Sequence, residues 1–191
     1  MLVCLALGVG GCDRNAGSTA FEDRRAERAA TPADTARGYD IPRLPPDRLV
    51  LSGAAAGLDG LLRTVERALA EHDTTRLRSL MVNAREYRDI LFPAFPAAHP
   101  PINALWDEVW PMHITDAEEG LRLLVRQYGG KRIRILSVGF EKPDQDFVNF
   151  TLDETSHVDV EVDGKRVNDV RPFGSVYHVG NQYKVLSYPD D

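Results

Sequence analysis

His157-Val158-Asp159-Val160-Glu161-Val162-Asp163-Gly164 decides the fold class of this chain. Apolar and polar side chains alternate without a break. Val158, Val160 and Val162 therefore share one face of a strand and His157, Asp159 and Glu161 the other. A strand with one dry and one wet face belongs to an antiparallel sheet. Asp163-Gly164 supplies the turn residues of a tight hairpin. Outward from this segment the strand signals continue. Arg132 to Phe140 holds Ile133, Ile135, Val138 and Phe140, and its apolar phase changes between Ile135 and Val138, as a β-bulge produces. Phe147 to Leu152 places Val148, Phe150 and Leu152 on one face, and Val176 to Val179 with Tyr183 to Tyr188 forms a last hairpin around Gly180-Asn181.

Upstream the period changes to that of a helix. Leu58, Leu61, Leu62, Val65 and Leu69 recur at three-and-four spacing. Asp73, followed by Thr74 and Thr75, is the break and N-cap before a second helix with Leu77, Leu80 and Met81. That helix is expected to continue through Tyr87, Ile90 and Leu91 to Pro93. Phe92 to Pro101 reads as a stiff proline-rich loop. A short amphipathic helix follows, with Ile102, Leu105, Trp106, Val109 and Trp110 on one face and Pro111 at its end. Thr115 to Glu118 fits a capping box opening one more helix, which buries Leu121, Leu124, Val125 and Tyr128 and stops at Gly129-Gly130.

Helices followed by an antiparallel sheet define an α+β domain. Two segments, Leu69 to Leu77 with its Ala-rich helix broken at Asp73, and the closing hairpin Gly174 to Leu186, carry a resemblance to the nuclear-transport-factor-2-like superfamily, which includes SnoaL-like and ketosteroid-isomerase-like proteins. It covers about residues 57 to 188. The resemblance implies N-terminal helices packed on a curved antiparallel sheet, cone-like, with a pocket between the two. It also leaves room for a homodimer through the open sheet face.

The first residues give an address. Leu2 to Val9 form an apolar run that ends on Gly10-Gly11-Cys12 and turns polar at Asp13-Arg14-Asn15. A helix of about 11 residues spans only about 16 Å, against about 30 Å of hydrocarbon, so the run is too short to cross a membrane and has the length of a signal peptide. Val9-Gly10-Gly11-Cys12 resembles the lipobox of bacterial lipoproteins, although no Lys or Arg precedes the run. The resemblance implies a signal peptide over 1–11 and a lipid on Cys12. It places the chain on a cell membrane at its periplasmic or extracytoplasmic face, and Asp13 favours the inner membrane. Two plainer readings stand beside it: an ordinary secretory signal with a chance Cys, and an apolar terminus of a cytosolic chain.

Cys4 and Cys12 are the only cysteines, so residues beyond 12 hold no disulfide framework and no thiolate nucleophile. Residues 12–50 read as a flexible linker. Seven basic and seven acidic residues balance between Asp13 and Leu49, and Ala, Gly, Thr and Pro fill much of the rest. Such a segment buries too little apolar surface to offset its ordering entropy, and its ends are expected roughly 30–40 Å apart. Residues 51–191 form the domain and carry the chain's net charge of −6. That balance argues against a nucleic-acid partner and offers no run of basic residues for anionic lipid.

Tyr87, Trp106, Trp110, His113, Tyr128, Tyr177 and His178 are the candidate pocket residues. The two tryptophans suit an apolar or cyclic ligand, and the plainer reading makes these aromatics ordinary core. His113 and His178 are the acid–base candidates for an isomerase or cyclase in this fold, and no Asp or Glu is marked as buried by pattern. The histidines at 72, 99, 113, 157 and 178 lack metal-ligand spacing. No Gly-rich phosphate loop follows a strand, and nothing calls for a cofactor. The sequence therefore points to a lipid-anchored, non-catalytic module for a small apolar ligand or a periplasmic protein, with a small-molecule acid–base enzyme as the alternative.

Overall fold

A computed structural model describes residues 39–189. The expected signal peptide, Cys12, Asp13 and the expected linker up to residue 38 lie outside the described residues. The fold is α+β. Six strands, β1 (Ala55–Ala56), β2 (Ile133–Asp146), β3 (Thr151–Val162), β4 (Lys165–Val170), β5 (Val176–Val179) and β6 (Gln182–Val185), form one antiparallel sheet. The order is β1-β6-β5-β3-β2, with β4 also on β3. The long strand β3 is the spine. One edge pairs with β2, while the other pairs with β5 through Thr151 to Asp153 and with β4 through Val158 to Val162. The expected alternation is present, with Val158 and Val160 buried in the core. Asp163 and Gly164 both take positive φ, 50° and 82°, which is the two-residue turn whose twist matches a hairpin.

The expected bulge appears as a register shift between Ile135 and Ser137. Glu66 accepts the Ile135 N–H there, so a helix side chain satisfies a backbone donor at the irregularity. A second shift, between Lys142 and Gln145, lengthens β2 beyond Phe140. Phe147 to Phe150 is the β2–β3 turn instead of the start of a strand. Phe147 and Phe150 stack there at 4.6 Å, and Val148 faces water rather than sharing a face with Phe150 and Leu152.

Helix α1 (Gly57–Ala70) buries Leu61, Val65, Ala68 and Leu69 against Val158, Val160, Val176 and Val185 of the sheet. Asp73 caps α2 (Thr74–Ser79), accepting from the Arg76 N–H at 2.9 Å. The helix expected to run on to Leu91 is divided instead. Val82 donates to Val185 O, and Val185 in turn donates to Leu80 O, so the chain pairs with β6 and cannot keep its helical bonds. Asn83 then caps a new start, α3 (Ala84–Glu86), followed by a wider turn over Tyr87–Leu91.

The two helices expected around Pro111 are one, α4 (Trp106–Tyr128). Pro111 is its sixth residue, so its missing N–H forfeits a single bond, to the solvated carbonyl of exposed Asp107. Thr115 is not a cap, since its hydroxyl donates to Pro111 O at 2.7 Å. Ile102 and Leu105 precede the helix and are exposed.

The end of the expected linker belongs to the folded body. Ile41, Leu44 and Leu49 rest on a second core built around Leu51, Ile90, Leu91 and Phe150. Asn149 accepts the Leu44 N–H and donates to Pro42 O. Pro42, Pro45 and Pro46 reduce the entropy this segment loses on ordering, so a few apolar anchors suffice.

Candidate functional site

The candidate pocket residues fall into four places. Tyr87, Trp110 and His113 form one packed group, with ring centroids 5.2 Å apart for Tyr87–Trp110 and 5.0 Å for Tyr87–His113. The His113 imidazole donates from Nε2 to Leu186 O at 3.1 Å, and burial lowers its pKa, partly offset by that bond. A neutral imidazole flanked by two rings fills space here. Trp106 lies at the margin of this group, 5.5 Å below the Arg88 guanidinium. His178 is apart from all of these. It stacks on Tyr183 at 4.3 Å and bonds Gly180 O across the hairpin turn.

Tyr177 belongs to a buried polar group that the pattern of residues did not announce. Its hydroxyl donates to Glu86 Oε2 at 2.8 Å, and Lys184 Nζ donates to the same oxygen at 2.8 Å. The Glu86 and Lys184 side chains are 0 % and 1 % exposed. Glu86 Oε1 accepts the Ser52 N–H and Oε2 also the Asn83 N–H, while Lys184 gives a second bond to Ser52 O. The carboxylate thus ties α3, β5, β6 and the entry loop together, and four donors with a cation offset its desolvation. Burial pushes the Tyr177 hydroxyl well above its usual pKa, reinforced by the Glu86 charge, and burial pulls Lys184 down.

Glu86 and Asp153 are buried carboxylates that the sequence pattern does not mark. Asp153 accepts the Asp144 N–H at 2.8 Å beside the second β2 irregularity, and burial raises its pKa. The readable trace of Glu86 was the Asn83-x-x-Glu86 capping box, whose two reciprocal bonds are both present. Nothing in the local pattern marks Lys184, because its partner lies 98 residues away.

Tyr128, by contrast, borders an open groove. That groove, of about 420 Å³, lies between the end of α4 and the end of β4, its lining including Leu123, Leu124, Gln127, Asp169, Val170 and Arg171. Tyr128 and Val170 also border a crevice between α1 and the sheet, where Val65, Leu69, Ile135 and Val160 leave about 10 Å³, room for one water. The groove itself is lined mostly by polar surface, with apolar side chains among it. Tyr128 is half-buried, its pKa raised by desolvation, with Gln127 donating to its hydroxyl at 3.1 Å.

Among the described residues no group of His, Cys, Asp and Glu is arranged to hold a metal ion, and no helix is long and apolar enough to cross a membrane. No family model, no curated protein and no solved structure matches the chain.

Proposed function

We propose that this chain is a lipid-anchored extracytoplasmic binding module, held on the membrane through Cys12, that takes a small amphiphilic ligand in the groove beside Tyr128. The observation that carries the ligand reading is the chemistry of that groove, a mostly polar lining that brings Gln127, Asp169 and Arg171 together with the apolar Leu123, Leu124, Val170 and the Tyr128 ring. The address rests on the sequence Val9-Gly10-Gly11-Cys12. The acid–base alternative is less well supported, since His113 and His178 border neither the groove nor the crevice. The nuclear-transport-factor-2-like reading draws support from the order of elements, with α1 lying across the face of an open antiparallel sheet.

A fluorescent amphiphile, anilinonaphthalene sulfonate, tests the site. Its emission is expected to rise on binding the native chain, and Gln127→Trp, which fills the groove from an exposed position, is expected to abolish that rise while Gln127→Ala keeps it. Binding that Gln127→Trp leaves intact refutes the groove. Membrane fractionation of Cys12→Ser tests the address, and unchanged membrane association refutes the anchor.

A further inference from the structure

Exposed apolar side chains concentrate at one end of the fold. Ile102, Leu105 and Met112 are 61 %, 59 % and 62 % exposed. Leu105 is the residue directly before α4, and Met112 lies in its second turn. Trp106 follows Leu105 directly and lies under Arg88. Arg88 pairs with Asp89 at 2.6 Å, and Asp89 also feels Arg85 and Arg48. Arg85 reaches Val50 O at 2.6 Å, and Val50 is exposed in turn. Three arginines thus gather around Asp89, on a chain whose net charge is −6.

The place where the described chain begins falls on the same end. Tyr39 stacks on His99 at 3.6 Å, and His99 O accepts the N–H of both Ile102 and Asn103. Residues 13–38 are all that separate Cys12 from this point. A segment of that length can reach at most about 90 Å, while a domain of this size has a radius of gyration of about 15 Å. A lipid on Cys12 would then tether the domain by its Tyr39 end, keeping that end within reach of the bilayer. That end bears apolar prongs, an indole and guanidinium groups, the composition suited to the headgroup boundary.

The geometry points to a membrane-docking face made of Ile102, Leu105, Trp106 and Met112, whose occupant is the leaflet that carries the lipidated Cys12. This inference rests on the anchor reading above. Docking leaves the Tyr128 groove, built from the opposite end of α4, turned away from the lipid.

Trp106 and Trp110 are the only tryptophans, so Trp110→Phe makes Trp106 the sole reporter. The lipidated chain carrying this change would be reconstituted in vesicles with brominated acyl chains. Quenching of Trp106 is expected. Ile102→Asp with Leu105→Asp is expected to remove most of the quenching while the protein still sediments with the vesicles. Protein that sediments, folded, with Trp106 unquenched overturns the docking face, as does quenching that survives the double substitution. Protein that does not sediment refutes the anchor, and the face is then read by adding excess vesicles to the same chain: quenching supports it and its absence overturns it. A dimer in sedimentation analysis that the double substitution dissolves assigns the patch to a second copy and also overturns the proposal.

Discussion

Lys184→Met would remove the ammonium group from the buried polar group while keeping the length and bulk of the side chain. Glu86 keeps its bonds from Ser52, Asn83 and Tyr177. It loses the ammonium bonded to Oε2, keeping only the partly exposed Arg85 guanidinium 3.9 Å from Oε1, and Ser52 O loses the donor at 2.8 Å. Breaking one side of a buried pair costs about 3–5 kcal/mol, a large share of the roughly 5–15 kcal/mol that holds a domain folded. At this chain length that is a fall in Tm of about 6–20 °C. The assay is urea unfolding followed by circular dichroism, in which the midpoint should fall with the slope unchanged. Glu86→Gln strands the ammonium instead and should cost a similar amount. The double variant should cost less than the sum of the two singles by about 0.5–3 kcal/mol. A loss below about 1 kcal/mol for Lys184→Met, the range of a solvated surface pair, would refute the reasoning, because it would mean that Nζ reaches water.

Three further outcomes follow from the packing. Gly120→Ala should destabilise by about 1–3 kcal/mol or more, because a Cβ there would come within 2.2 Å of Tyr188 O and 2.5 Å of Pro189 O, backbone atoms that cannot step aside cheaply; thermal unfolding checks this. Burial raises Tyr188 and, with the Glu86 charge, Tyr177, so their contribution is fully present below the unfolded tyrosine value of about 10 and is lost as pH rises through the folded values. Tm against pH should fall above that point, less steeply in Tyr188→Phe. His113, lowered by burial, should cost stability as pH falls below about 6.5. His157, raised first by its bond to Asp169 and then by Glu141, contributes below that same pH and loses its contribution above it. His113→Gln and His157→Asn should therefore change the slope of Tm against pH in opposite senses across this range.

The strands were the most legible part of the chain because their signals are local. The His157 to Gly164 alternation and the Ile135 to Val138 phase change each specify a feature within a few residues, and both appear in the fold. Helix boundaries were less legible where a distant strand intervenes. Leu80 to Val82 leave the helix because Val185, more than 100 residues on, offers backbone bonds that no local rule encodes. Pro111 misled in the opposite sense, since α4 runs through it at the loss of one bond, to Asp107 O, instead of ending there. At the site, the aromatic residues were identifiable but their grouping was not. Trp110 and Tyr87 close on each other, whereas Tyr128, which reads as one more inward residue of a helix, borders the groove. The Glu86–Lys184 pair stayed hidden because charged residues in a helix cap and an edge hairpin normally face water, and only their meeting in three dimensions makes burial affordable.

Amide chemical-shift mapping of the native chain during titration with anilinonaphthalene sulfonate tests the binding reading most directly. The proposed site requires shifts at Gln127, Tyr128, Asp169 and Val170, with Tyr87, Trp110 and His113 unmoved. Shifts centred on Tyr87, Trp110 and His113, or none at the groove at saturation, would contradict it.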